Sequence, residues 1–160
     1  MNAIKFEVPG AANPPLQSWS VRLGQLVALI GRPDFNDTVA SILHDVVPFD
    51  NFTVFEYKSG RKPVPLFHTV TPCRAGHLVH YYASDPFRID PFCIAALNSR
   101  DNGVVSLRTL SPEFERTDYY RFFYRDAGLD DEVGFLVKLN PQHSIVVSLM
   151  RDVGGKRFTR

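Results

Sequence analysis

The chain has 160 residues, 44% of them hydrophobic, which is enough for one well-packed core and too few for two ordinary domains. Eighteen Lys and Arg stand against 17 Asp and Glu, a formal charge of +1, so no global field draws the chain onto nucleic-acid phosphates or an anionic membrane. No apolar run reaches the roughly 18 residues of a membrane span, and Met1 to Gly10 lacks the charged and apolar regions of a signal peptide, so a soluble cytoplasmic protein without membrane contact is predicted. Cys73 and Cys93 are too few for a disulfide framework and read as thiols, small buried hydrophobes being the default.

Residues Met1 to Pro15 carry Pro9, Gly10, Pro14 and Pro15 without periodicity and predict a flexible N-terminal arm, leaving 16–160 as a single domain. Leu16, Trp19, Leu23, Leu26, Val27 and Ile30 recur at helical spacing until Gly31 and Pro33 stop the run. Asp34 is placed to cap a second helix whose stripe is Phe35, Val39, Ile42, Leu43 and Val46. Asn51 to Lys58 is β-branched and aromatic and predicts a strand, with Val64 to Val70 returning as an edge strand that tolerates its proline. From Arg74 to Asn98 the pattern is helical but broken at Pro86 and Pro91, and Gly103 to Leu107 is a short strand. Thr117 to Ala127 reads as a capped helix closed by Gly128, and Asp131 to Leu139 with Ser144 to Arg151 as an antiparallel hairpin. About five strands and five helices in this order predict an α+β fold, an antiparallel sheet flanked by helices as in GAF and PAS domains.

Recognisable catalytic signatures are missing: there is no GxSxG elbow, HExxH helix, phosphate loop or Gly-rich dinucleotide turn, and no cofactor is expected. His77 and His80 lie one helical turn apart near His68 and Cys73, but the spacing fits no zinc pattern, and no metal site is expected. Solvated charge accounts for Asp126, Asp130, Asp131 and Glu132 around a turn. What stands out is aromatic density. In Thr117 to Ala127, helical geometry puts Tyr119, Phe122 and Phe123 on one face and Tyr120 with Tyr124 on a neighbouring one, so one set packs on the sheet and the other is left for a ligand or a partner, unless all are core or ordinary surface rings.

The run RTLSPEFERTDYYR from Arg108, followed by FFYRDAGLDDEVGFLVKL and SIVVSLMR, resembles the amino-terminal GAF-like domains of LuxR-type helix-turn-helix transcription regulators, over roughly Leu16 to Arg160. In that family an R-F-[ST] run after the second hairpin opens a helix leading to the DNA-binding domain; Arg157-Phe158-Thr159 matches it, so the resemblance implies that a C-terminal reader domain lies outside this chain. Acyl-homoserine-lactone receptors of the same superfamily carry Trp-x3-Tyr-x8-Asp-Pro around their ligand. Here Tyr81, Asp90 and Pro91 fit that spacing and His77 replaces the Trp, so a lactone carbonyl would lose its indole donor and a different ligand is implied.

The expectation is a pocket for an unknown small molecule between the sheet and the broken helical segment, lined by Tyr57, Phe67, Tyr81, Tyr82, Asp90, Phe92, Tyr120 and Phe135, with Asp90 as polar anchor. Capping of the helix that starts at Pro91 explains Asp90 equally well. Trp19, Leu23, Leu26 and Ile30 are expected at a homodimer interface, with DNA contacted only through the C-terminal domain. A sensor is therefore weighed against a ligand-free dimerisation or interaction module, and an enzyme is not expected.

Overall fold

The computed structural model describes residues 16–99 and 101–158, with side chains from Trp19 onward; the predicted arm lies outside the described residues. Two compact units emerge, one ending at Phe49 and one spanning Asp50–Phe158.

In the first unit, α1 (Leu16–Leu29) and α2 (Phe35–Val46) are joined through Gly31, whose φ of 81° is open to glycine without strain. Arg22 of α1 pairs with Asp45 of α2 at 3.0 Å, and Ala40 and Ile42 are buried. The predicted cap is corrected: Asp34 precedes α2 but makes no side-chain cap bond, because its carboxylate turns to Arg32 at 3.4 Å.

The second unit is built on an antiparallel sheet of five strands, β1 (Asn51–Lys58), β2 (Val64–His68), β3 (Gly103–Ser106), β4 (Leu129–Asn140) and β5 (His143–Asp152), in the order β2-β1-β5-β4-β3. Period-two alternation gives every strand two faces, and the register decides which residues share one. Tyr57, Ser144 and Lys138 align across β1, β5 and β4, as do Phe55 with Val146 and Leu136, and Thr53 with Ser148 and Gly134. This face carries the helical segments: α3 (Pro72–Ala75), a π-helical turn at Gly76–Tyr81, a 3-10 turn at Pro86–Ile89, α4 (Pro91–Asn98), α5 (Leu107–Leu110), a 3-10 turn at Phe114–Arg116 and a second π-helical turn at Tyr120–Tyr124. The segment expected to be broken at Pro86 and Pro91 is broken there.

α4 crosses the centre of the sheet because the strands accommodate it. Ser144 Oγ donates to the Ala96 carbonyl at 2.7 Å, and Lys138 Nζ donates to the Ala96 and Leu97 carbonyls at 3.0 and 3.1 Å, so a cation satisfies the free acceptors at the helix C-terminus. The Phe92 ring fills the gap beneath. A Cβ at Gly134 would lie 2.6 Å from that ring, so the strand needs a residue without a side chain there. At the other end Arg74 grips Asp152 with two guanidinium bonds of 2.7 and 2.9 Å and donates to the Ala127 carbonyl at 2.8 Å, tying the start of the helical layer to the end of β5.

The helix expected from Thr117 is present only as its first turn; Thr117 accepts from the Tyr120 amide at 3.2 Å, and the chain then widens into the π turn before Gly128, φ 71°. The widening redistributes the rings, since residues five apart, not only four, come onto one side. Tyr119, Phe123 and Tyr124 are all buried, while Phe122, placed with Tyr119 and Phe123 by α-helical spacing, is 64% exposed.

Candidate functional site

The site grows from a helix start. Asp90 precedes Pro91, the first residue of α4, and its Oδ1 accepts the Phe92 amide at 2.8 Å. The capping role anticipated for it is therefore present, but only one carboxylate oxygen is used by it. The other, Oδ2, accepts from the Tyr82 hydroxyl at 2.5 Å, and Tyr82 in turn lies 2.5 Å from the Tyr57 hydroxyl. With the Tyr82 proton directed at Asp90, Tyr57 donates to Tyr82. The result is a relay from strand β1 through the helical layer to the N-terminus of α4.

This relay borders an internal cavity of about 20 Å³, the space of one water molecule. Phe55, Tyr119 and Phe123 add rings to its wall, and Thr53, Glu132 and Ser148 bring polar groups from the sheet. Two buried carboxyl groups, Asp90 and Glu132, thus face one space. Burial pushes Asp90 up to about 6, against the hydrogen bonds from Tyr82 and the Phe92 and Cys93 amides that favour its ionised form. Burial and the neighbouring charge of Asp90 push Glu132 well above the usual carboxylate range, with the Ser148 hydroxyl opposing. The same two causes, burial first, raise Tyr82 and Tyr119 far above ordinary phenols and lift the Cys93 thiol to about 12, which keeps the phenols as neutral donors and the thiol inert. No Lys, Arg or His lines the cavity.

Beyond Phe123 lies an open surface cleft of about 660 Å³ between the 3-10 turn at Pro86–Ile89 and the π turn at Tyr120–Tyr124. Exposed Tyr81, Ile89 and Phe122 line it together with Arg88, Arg121 and Arg125. The Phe123 ring borders both spaces, and His77 stacks on it at 5.1 Å with an interplanar angle of 5°.

Of the residues expected at the pocket, Tyr57, Tyr82 and Asp90 meet at the cavity; the Phe92 ring does not line it but packs on Gly134, and only its amide reaches Asp90. The others require correction. Tyr81 turns into the surface cleft, and Tyr120 packs edge-on against Phe114 at 5.7 Å. Phe67 and Phe135 are on the opposite sheet face: Phe67 pairs with Val54 and touches Phe52 at 5.9 Å, and Phe135 pairs with Val147. Their error is one of parity, because Glu132, Gly134 and Leu136 take the helix-covered face and leave Phe135 between them on the other. Glu132, missed as a site residue, carried a sequence signal: it lies inside the strand predicted from Asp131 to Leu139, in step with Gly134 and Leu136. Among the residues expected at a dimer interface, Leu23 and Ile30 are exposed with Val27 between them, whereas Trp19 and Leu26 are half-buried. Among the described residues no group of His, Cys, Asp and Glu is arranged to hold a metal ion, and no helix is long and apolar enough to cross a membrane.

No protein-family model matches the sequence, and no curated protein matches it. Solved structures do. The VqsR ligand-binding domain from Pseudomonas aeruginosa superposes with a TM-score of 0.70 at 27% identity, over 84% of this chain and 80% of that one. Escherichia coli SdiA superposes with a TM-score of 0.56 at 16% identity over 87% of this chain, and SdiA in complex with octanoyl-rac-glycerol with 0.56 at 14% over 91%. This chain spans 58% of the length of either SdiA chain, and at those identities the likeness is one of fold. The resemblance read from the sequence therefore holds in three dimensions: this chain has the GAF-like, autoinducer-binding-like sensor fold of LuxR-type transcription regulators.

Proposed function

We propose that this chain is the ligand-sensing and dimerising part of a cytoplasmic LuxR-type bacterial transcription regulator, with DNA binding supplied by a C-terminal domain outside it. The observation that carries the reading is the Asp90–Tyr82–Tyr57 relay set against a cavity in the middle of the core. A core that served stability alone would be apolar here, since burying carboxyl groups costs several kcal/mol unless they are matched. Sites that break this rule are the ones expected to bind something. The space in this structure is that of about one water molecule. A ligand larger than water requires displacement of the Phe123 wall toward the cleft, and it shifts the domain to an open state only by binding that state more tightly.

The path toward a reader domain is supported by the end of the unit. Arg157 makes two bonds to the Asp130 carboxylate, at 2.7 and 2.9 Å, and the Phe158 amide donates to Asp131 Oδ2 at 2.8 Å. The next residue along β4 is Glu132 at the cavity, so the strand that meets a ligand also holds the departing chain. The exposed Leu23, Val27 and Ile30 stripe on α1 is the surface we assign to the homodimer. Leu23→Asp is expected to shift the protein from dimer to monomer in sedimentation at micromolar concentration, because it would place a charge in a desolvated interface; a wild-type monomer would remove the dimer from the proposal.

Thermal shift with octanoylglycerol, the molecule held by SdiA, and with a small-molecule library tests sensing directly, since a ligand that binds only the native state raises its melting temperature. A rise that is lost in Tyr82→Phe supports the relay as the recognition element. The small cavity volume favours one second reading, a ligand-free dimerisation or interaction module of the same regulator. That reading prevails if no compound stabilises the wild type.

A further inference from the structure

We propose that the ligand of this cavity is an organic cation, a protonated primary or secondary amine whose ammonium group sits between Asp90 and Glu132; this rests on the sensor reading above. Three features of the cavity point to that class. First, Asp90 from the helical layer and Glu132 from β4 approach the same space from opposite sides, 4% and 6% exposed, and no basic residue lines it. Two buried carboxylates without a counter-charge repel one another and are poorly solvated, so a cation placed between them relieves both costs at once.

Second, the two acids differ in what they have left to offer. Asp90 is occupied on both oxygens, by the Phe92 amide and by Tyr82. Glu132 has the Ser148 hydroxyl as a polar neighbour, and its carboxylate can accept about four bonds. Glu132 thus offers acceptor capacity to the cavity, and an ammonium, which only donates, complements it. Third, the wall includes the rings of Phe55, Tyr57, Tyr82, Tyr119 and Phe123, beside the apolar side chains of Leu78, Leu129 and Met150. Aromatic faces attract a desolvated cation and pack equally well against its alkyl chain. A neutral ligand of the same shape gains only the second of these contacts.

The test uses n-alkylamines from propylamine to octylamine as their hydrochlorides, with n-alkanols of equal length as neutral controls, in thermal shift and calorimetry on the whole 160-residue chain at pH 7. The amines are expected to raise the melting temperature and the alkanols to leave it unchanged. Glu132→Gln is expected to weaken amine binding at least tenfold while the apo protein stays folded, because the substitution keeps the shape and removes a buried acid. Independently of any variant, amine binding to the wild type is expected to release protons as Glu132 ionises, seen as a binding heat that changes with the ionisation enthalpy of the buffer. Alkanols that stabilise as well as the amines, or an unaltered affinity in Glu132→Gln, overturn the assignment. Stabilisation by octanoylglycerol without stabilisation by amines overturns it and leaves the sensor reading standing; stabilisation by none of them overturns both.

Discussion

Taken from pH 4 to pH 8, the protein is expected to lose about 2 kcal/mol of unfolding free energy at Asp90. In the folded chain burial raises this carboxyl to about 6, above its ordinary value of 3.8, so the native state holds the proton more tightly than the unfolded chain. Its contribution is complete below the ordinary value and is lost as the pH rises through about 6. Glu132 shifts in the same direction for the same reason and extends the loss to higher pH, and Asp131, raised chiefly by burial, adds to it. Glu115 and Asp130 act the other way, because Arg108 and Arg157 hold them below the usual range, so their contribution grows as the pH rises through the acid region; both are near the surface, where solvent weakens the effect. Urea denaturation at pH 4.5 and 7.5 measures the balance. Asp90→Asn isolates the term, since an Asn oxygen still caps α4 but does not titrate. The variant is expected to show a flatter profile than the wild type, and an equal slope in both would exclude Asp90 as its source.

The second large effect is at the joint between α4 and the sheet. Phe92→Ala is expected to cost about 3–5 kcal/mol, the usual range for emptying a buried phenylalanine site, because the ring is 1% exposed and lies between helix and strand with little room to collapse. Gly134→Ala alone is expected to cost about 1–3 kcal/mol by overpacking, its new methyl meeting the same ring at 2.6 Å. The two changes should not add. With the ring gone, the Gly134→Ala methyl enters the space vacated and removes a flexible glycine from a strand, so in the Phe92→Ala background it is expected to be neutral or stabilising. A double-mutant cycle by chemical denaturation reads this coupling, and additive losses would show that the strand moves away from the ring at little cost.

The sequence by itself determined the element order, the breaks at Pro86 and Pro91, the closing glycine at Gly128 and the long terminal hairpin. These follow from local rules: ring closure at proline, the left-handed φ open to glycine, and alternation in strands. It also determined that Asp90 stands before a helix beginning with proline, and that aromatic residues crowd the middle of the chain. Only the tertiary structure decided which rings meet. Strand register set the parity that sends Phe135 and Phe67 to one face and Glu132 to the other, and register depends on pairing between segments distant in sequence, such as Glu132 with Met150 and Asn51 with Met150. The π turn at Tyr120–Tyr124 put Tyr119, Phe123 and Tyr124 in the core together and left Phe122 outside, a combination that α-helical spacing does not contain. The joining of Asp90 and Glu132 around one cavity is likewise a product of packing. Each acid has an ordinary local explanation, as a helix cap and as charge near a turn, and only burial in a shared space without a counter-charge gives the pair a chemical meaning.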